Sequence, residues 1–478
     1  MGRLLIRADG GKETGLGHWS RCLFLATCVE PSREITFYVR DKTLFDTTFP
    51  DARVEVVQIE DEEDFFSTVN ARDLVILDGY SFDATYVDRL NALGALIIYI
   101  DDLFAPGIRA DVVINHCPGI QPALFEDTAL HTSWFLGGKY SLVSNTFAPS
   151  SYNFGERINN ILLCMGGADP HNKTVSIVQK YRDFFLRFDR VDIIVGSAYQ
   201  HIEGLKAECG DHQRFNIHKN LDKRSISKLM QRAGVAVLPS STMALEYAHV
   251  GGVLYVVQTA ENQKYLYKGL LSSGTALDIS DVNDFDCSPG FYEKIRSKQL
   301  RQFDGHSHER YSKLFRECAL QQQMTLRKAT MDDARVTYKW ATDKNIRSLS
   351  FSSDEITWEG HCKWFESKVN SDQCFYYLAK IKERFVGSVR FDLSHEKAVI
   401  NYLLDVDYQG QGLGRVLLAE GIRQLTKEQR QIEEIVGYVM DTNIPSIRIF
   451  ERLGFQRGES DIEQPGSIKF IKHSGRIR

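Results

Sequence analysis

The sequence predicts an α/β protein of several domains, in which two successive lobes with parallel sheets precede a smaller α+β domain with an antiparallel sheet. Three observations predict this. Short, near-continuous apolar runs alternate with helix-compatible segments through roughly the first 290 residues, the pattern of sheets covered on both faces. A charged, helix-compatible stretch then breaks the alternation, and beyond it the strands take period-two character without crossovers. At 478 residues the chain also exceeds one ordinary domain.

Composition removes several functional classes. Hydrophobic residues at 43% and charged residues at 25% describe a globular chain with a large core. A formal net charge of -5 offers no electrostatic footprint for nucleic acid, so none is expected as a partner. Arg3 and Arg7 flank only three apolar residues, and no apolar stretch approaches the roughly 18 residues of a membrane span. A cytoplasmic chain without a membrane partner is therefore expected. Nine cysteines, odd in number and without paired zinc spacing, are expected to be reduced thiols, and no metal is expected. The basic tail from Lys469 to Arg478 reads as a solvated end.

Residues 1–148 form the first predicted lobe, with strands at Leu4–Arg7, Glu34–Val39, Arg53–Val57, Leu74–Leu77, Leu96–Tyr99 and Val112–Asn115. The first strand leads into Gly10-Gly11 and then Thr14–Arg21 (TGLGHWSR), a glycine-rich turn at a helix start. Gly15 and Gly17 allow close approach of a ligand, the free amides favour a phosphate, and His18 is suited to take a proton from water there. A turn histidine in an ordinary α/β protein is the plainer reading. Asp9, Asp78 with Tyr80, Asp101, Asp102 and Asn115 follow strands, where ligands bind such sheets, although each acid alone also suits a helix cap.

The segment Gly137–Ser151 loses the alternation and reads as the crossover to a second lobe over 149–295. Its strands are Asn160–Cys164, Val191–Val195, Phe215–His218, Val235–Leu238 and Val253–Val257. Gly166, Gly167 and Asp169 make a second glycine turn suited to a diphosphate. Ser241 and Thr242 offer hydroxyls to phosphate oxygens and Glu246 a carboxylate to a ribose, with a plain capping motif as the alternative. Asn262 and Gln263 open a further helix, where an amide pair suits a sugar or a water.

Arg7-Ala8-Asp9, Gly15-x-Gly17-His18-x-x-Arg21, Asp78-x-Tyr80, Gly166-Gly167-x-Asp169, Ser241-Thr242-x-x-x-Glu246 and Asn262-Gln263 together resemble the UDP-sugar hydrolases of pseudaminic acid biosynthesis. The resemblance runs over residues 1–290 and implies a two-lobed GT-B-like fold with Rossmann-like lobes. It further implies metal-independent hydrolysis of UDP-2,4-diacetamido-2,4,6-trideoxy-β-L-altropyranose to UDP and free sugar. His18, Tyr80 and Asn262 then take catalytic roles, and Asp9, Gly15, Gly17, Arg21, Gly166, Gly167, Asp169, Ser241, Thr242, Glu246 and Gln263 bind the UDP-sugar. The chain departs from that family at Gly79, where a larger residue is expected, and at His116, where the strand end is expected to be richer in amides.

Residues 296–323 read as a helical linker broken at Gly305, and 324–478 as the third domain. Its strands are placed at Thr325–Thr330, Phe375–Lys380, Val386–Asp392 and Ala398–Leu404. Gln409-Gly410-Gln411-Gly412-Leu413-Gly414-Arg415 then opens a helix as an anion nest shaped for a pyrophosphate. With Asn443 to Phe455 downstream it resembles the GNAT N-acetyltransferases, and Trp340, Ile356-Thr357, His361 and Trp364-Phe365 resemble the acetyltransferase of the same pathway. The resemblance implies acetyl-CoA as cosubstrate, held by Gln409 to Arg415 with Asn443 and Ser446, and a UDP-amino-sugar acceptor. Many GNAT enzymes carry a tyrosine at the position of Phe450; Tyr438, Ser446 or a water is the substitute acid. His361 reads as facing substrate or as a surface helix residue.

The expectation is a bifunctional enzyme that N-acetylates a UDP-4-amino sugar and then hydrolyses the product. Two alternatives stand beside it: a GT-B glycosyltransferase fused to a sugar N-acetyltransferase, and a non-catalytic nucleotide-sugar-binding region serving the GNAT domain.

Overall fold

In the computed structural model of the chain, which describes residues 2–11, 15–210, 212–351, 354–459 and 466–474, the first apolar runs form one parallel sheet. Thr14 of the first glycine turn and residues 475–478 of the basic tail lie outside the described residues. The strands are β1 (Leu4–Ala8), β2 (Ile35–Val39), β3 (Glu55–Gln58), β4 (Leu74–Asp78), β5 (Leu96–Ile100), β6 (Val112–Asn115) and β7 (Ser133–Leu136). β1, β4 and β5 are buried along their whole length, which is why they read as unbroken apolar runs. β7 escapes sequence reading because it is short and begins with a buried serine. The order β3-β2-β1-β4-β5-β6-β7 reverses between β1 and β4, and the crevice beyond such a reversal is where ligands bind.

The second sheet repeats the plan. β8 (Asn160–Cys164), β9 (Arg190–Val195), β10 (Phe215–Lys219), β11 (Val235–Pro239), β12 (Val253–Val257) and β13 (Leu277–Asp278) pair in parallel in the order β10-β9-β8-β11-β12-β13. Here the order reverses between β8 and β11, which lead into Gly166-Gly167 and Ser241-Thr242.

Two helices follow. Pro289–Gln302 seals the second sheet, with Ile295 in its core and Gln299 Nε2 donating to the carbonyls of Gly252 and Thr275 at 2.9 and 3.1 Å. After a turn at Gly305, whose φ of 77° favours glycine, Ser307–Gln321 crosses back to the first lobe. Tyr311, Leu314, Phe315 and Cys318 join the core built on Leu4, Ile6 and Phe24.

The third sheet is mixed: β14 (Met324–Lys328), β15 (Cys374–Ile381), β16 (Arg384–Ser394), β17 (Lys397–Leu404), β18 (Glu434–Met440), β19 (Gln456–Arg457) and β20 (Ser467–His473). β17 and β18 run parallel, joined through the helix Leu413–Glu428, and pair only from Lys397↔Glu434 to Ile400↔Gly437. Beyond that point the two strands continue unpaired with each other and open a wedge. This domain rests on the first lobe: Arg415 Nη1 donates to Ser133 Oγ at 2.8 Å, and Arg423 pairs with Asp111. The basic tail is corrected here. Residues 467–473 form β20, and buried Lys472 donates to the backbone carbonyls of Thr132 and Leu453. His361 is not a surface residue: it is buried, bonded to Thr337 Oγ1 at 3.0 Å and stacked on Phe365. No helix among the described residues is long and apolar enough to cross a membrane.

Candidate active sites

The reversal points of the two parallel sheets face each other across a cavity of about 370 Å³. A Cβ added to Gly17, the first residue of the helix Gly17–Thr27, would lie 3.6 Å from Thr242 Oγ1 of the opposite lobe. His18 is held by Asp78, the last residue of β4, through its Nδ1 at 2.7 Å. Arg21, one helical turn after His18, donates its Nε to Asp78 Oδ2 at 2.6 Å and its Nη1 to Asp102 Oδ2 at 2.6 Å. Burial works against the charge of Asp78, but the Arg21 guanidinium and the His18 imidazole outweigh it and hold the carboxyl well below the usual range. An ionised Asp78 suits the tautomer in which Nδ1–H donates to it, with Arg21 Nη2 also 3.1 Å from Nδ1; Nε2 of His18 has no hydrogen-bond partner among the described residues. Tyr80 meets the imidazole edge-on at 4.8 Å between ring centres, and its hydroxyl accepts from Asn262 Nδ2 at 2.9 Å. All three residues expected to be catalytic therefore converge on one cavity.

The diphosphate elements divide. Gly166, with φ of 99°, Gly167, Ser241 and Thr242 line the cavity, and Ser241 caps the helix Thr242–Val250 without using its hydroxyl, which makes no hydrogen bond among the described residues. Asp169 is spent as a cap, accepting from the amides of Lys173 and Thr174 at 2.8 Å each and from Thr174 Oγ1 at 2.6 Å. Asp9 is likewise a framework residue, bonded to Ser81 Oγ at 2.9 Å and close to Arg7. It also explains Gly79: a Cβ there would meet Asp9 Oδ2 at 2.3 Å. Gly15 shapes the turn with φ of 80° and stands outside the cavity lining. Gln263 reaches the lining, but its Oε1 accepts from the Thr259 amide at 2.8 Å and so fixes the loop. Glu246 is buried within its helix, away from the lining; burial raises its carboxyl to about 7, with Lys223 opposing. Asp101 binds the amides of Leu103, Phe104 and Ala105, whereas Asp102 belongs to the cavity. His116, missed as a site residue, also lines it; burial lowers its imidazole to about 4, and its Nδ1 has no hydrogen-bond partner among the described residues.

The wedge between β17 and β18 opens a second cavity of about 830 Å³. Gln409, Gly410, Gly412, Gly414, Asn443 and Ser446 line it as anticipated. Gly410 and Gly412 have φ of 75° and 85°, left-handed conformations that suit glycine, in the turn that starts the helix Leu413–Glu428, where unpaired backbone amides favour an anion. Gln411 and Leu413 do not reach the cavity: Gln411 donates back to the Asp407 carbonyl at 3.0 Å, and Leu413 is core. Arg415 lines the cavity floor, yet its Nε is committed to Glu317 Oε2 at 2.6 Å. Asn443 caps the helix Ile444–Arg452 by accepting from the Ser446 amide at 3.2 Å.

Phe450 offers this cavity no proton, since its ring is packed between Phe455 and Phe470. Hydroxyl-bearing side chains that line it include Tyr438 of β18, Tyr402 on the diverging part of β17, and Ser446; the last two lie 2.6 Å apart and so form a hydrogen-bonded pair. Burial raises the Tyr402 phenol to about 12, so it stays protonated at neutral pH. Ser446 and Tyr438, both expected from the sequence, line the cavity; Tyr402 has no sequence signature, because nothing local couples residues 44 positions apart.

Residues 323–456 match the family described as Acetyltransferase (GNAT) domain. An uncharacterized protein of Methanocaldococcus jannaschii is 22% identical over 488 residues, covering 95% of this chain and 97% of its own length. The spore coat polysaccharide biosynthesis protein SpsG of Bacillus subtilis is 23% identical over 287 residues, 57% of this chain and 82% of that protein. The UDP-2,4-diacetamido-2,4,6-trideoxy-beta-L-altropyranose hydrolase of Campylobacter jejuni is 22% identical over 279 residues, 56% of this chain and 96% of that protein. Two Rossmann-like lobes with facing turns, followed by a C-terminal GNAT acetyltransferase fold, are thus the architecture of a chain that is also similar to a nucleotide-sugar hydrolase.

Proposed function

We propose that the chain carries out two consecutive steps on one nucleotide sugar. The GNAT domain transfers acetyl from acetyl-CoA to the 4-amino group of UDP-4-amino-4,6-dideoxy-N-acetyl-β-L-altrosamine, and the two-lobed region hydrolyses the resulting UDP-2,4-diacetamido-2,4,6-trideoxy-β-L-altropyranose. The observation that carries the hydrolytic half is the His18–Asp78 pair beside Tyr80 and Asn262, opposite an unspent Ser241 hydroxyl and the Gly166-Gly167 turn. In this reading Nε2 of His18 takes a proton from water as its oxygen bonds the anomeric carbon. The bond from that carbon to the UDP oxygen breaks, and UDP leaves with the electron pair. Backbone amides at the glycine turn and the helix start stabilise the charge that develops on the leaving diphosphate.

The test is UDP release by the purified chain from the diacetamido substrate, with chelator and without any acceptor, beside acetyl-CoA consumption with the 4-amino precursor. Release of UDP and free sugar is expected in the first assay and thioester loss in the second. UDP that appears only after an acceptor alcohol is added makes the first region a glycosyltransferase; no release under either condition makes it a nucleotide-sugar presenter.

In the acetyl transfer the neutral amine attacks the thioester carbonyl, the carbon–sulfur bond breaks, and the thiolate takes a proton from the Tyr402 hydroxyl, with Ser446 as its hydrogen-bond partner; the proton that the nitrogen sheds as the amide forms returns through solvent to the Tyr402 oxygen. Tyr402→Phe is expected to lower kcat for acetyl transfer about 100-fold with the KM for acetyl-CoA little changed. An unchanged kcat would exclude Tyr402 as the acid.

A further inference from the structure

The acyl-donor cavity is not built by the GNAT domain alone. Phe135 and Tyr140 of the first lobe line it, as do Arg310, Lys313 and Glu317 of the helix Ser307–Gln321. That helix lies against the glycine turn: a Cβ on Gly412 would meet Glu317 Oε1 at 2.4 Å. Lys313 stands one turn before Glu317 on the same face, so its ammonium reaches the neighbourhood of the turn. The helix Ile444–Arg452 contributes Arg448 and Arg452.

The cations of this cavity differ in what they already hold. Arg310 is paired with Asp304 at 2.6 Å, Arg415 with Glu317, and Arg452 donates to the Tyr140 hydroxyl and lies over the Phe135 ring at 4.3 Å. Lys313 and Arg448, both exposed, make no ion pair or hydrogen bond among the described residues. Two unneutralised cations lining one cavity, one from each helix, favour an anion there. The backbone nest of Gln409–Gly414 takes a diphosphate, which leaves a second phosphate of the same ligand to be neutralised close by.

We propose that Lys313 and Arg448 clamp the 3′-phosphate of a coenzyme A donor between the interdomain helix and the GNAT domain, so that the donor site is completed by a residue outside that domain. This rests on the acyl-donor reading of the cavity. The probes are coenzyme A and 3′-dephospho-coenzyme A, titrated into the full chain by calorimetry. The wild-type chain is expected to prefer coenzyme A by about tenfold or more, and Lys313→Ala or Arg448→Ala to weaken coenzyme A about fivefold each while leaving the dephospho form unchanged. Unchanged melting temperatures are expected, since neither side chain has a partner to lose. Equal affinity of the wild-type chain for the two probes, or variants that weaken both probes alike, would overturn the clamp while leaving the donor site standing. Binding of neither probe to the wild-type chain would remove the donor reading and the clamp together.

Discussion

Replacement of His18 by alanine is expected to lower UDP release from the diacetamido substrate about 1000-fold, within the range that loss of a positioned general base produces. The expectation follows from the proton inventory of the first cavity. Asp78 is fully buried and held ionised by Arg21, so it suits a His18 tautomer that donates from Nδ1 and offers Nε2 to water. Tyr80 is already the acceptor of Asn262, and His116 is too deeply buried to be charged near neutral pH. Asp78→Asn separates this role from mere folding, because an amide at 78 can also bond the opposite ring nitrogen tautomer. A drop in kcat with KM for the UDP-sugar little changed is expected for that variant, together with retention of UDP binding. If His18→Ala keeps more than a tenth of the wild-type rate, water activation does not depend on the imidazole.

Both cavities were legible in outline because each is made of turns at helix starts, and such turns have local signatures. Glycines at 166, 410 and 412 adopt positive φ where the sequence places them after a strand, and the chain there has few other conformations open to it. Carboxylates were read less well. An acid just past a strand looks the same whether it meets a ligand or its own backbone, and only the fold distinguishes Asp102, which faces the cavity, from Asp169, which caps a helix. Long-range partners had no signature at all. Tyr402 finds Ser446 through the divergence of two strands, and Arg415, which lines the cavity as its place in the glycine motif suggests, has its Nε held by a carboxylate 98 positions earlier. The strands β18 and β20 went unrecognised for a related reason: their alternation is blurred by positions that face the wedge or the first lobe rather than solvent.

That carboxylate yields the second large effect. Glu317→Ala is expected to destabilise the chain by about 3 to 5 kcal/mol, the cost of leaving one member of a buried ion pair without its partner. The side chains of Glu317 and Arg415 are 8% and 5% exposed, and Arg415 would retain only Ser133 Oγ, with its Nη2 already lacking a partner. Because Glu317 belongs to the helix that packs on the first lobe and Arg415 to the helix that carries the glycine turn, the loss falls on the junction itself. Thermal melting of the full chain is expected to show an early transition, and coenzyme A affinity to fall with it as the support beneath Gly412 is removed. Replacing both residues with methionine is expected to recover most of the melting temperature, since an apolar pair of similar volume carries no uncompensated charge. A single variant that melts within a degree of wild type would mean that Arg415 finds another acceptor and that the two halves of the chain are held together elsewhere. A double variant as unstable as the single one would instead locate the loss in packing rather than charge.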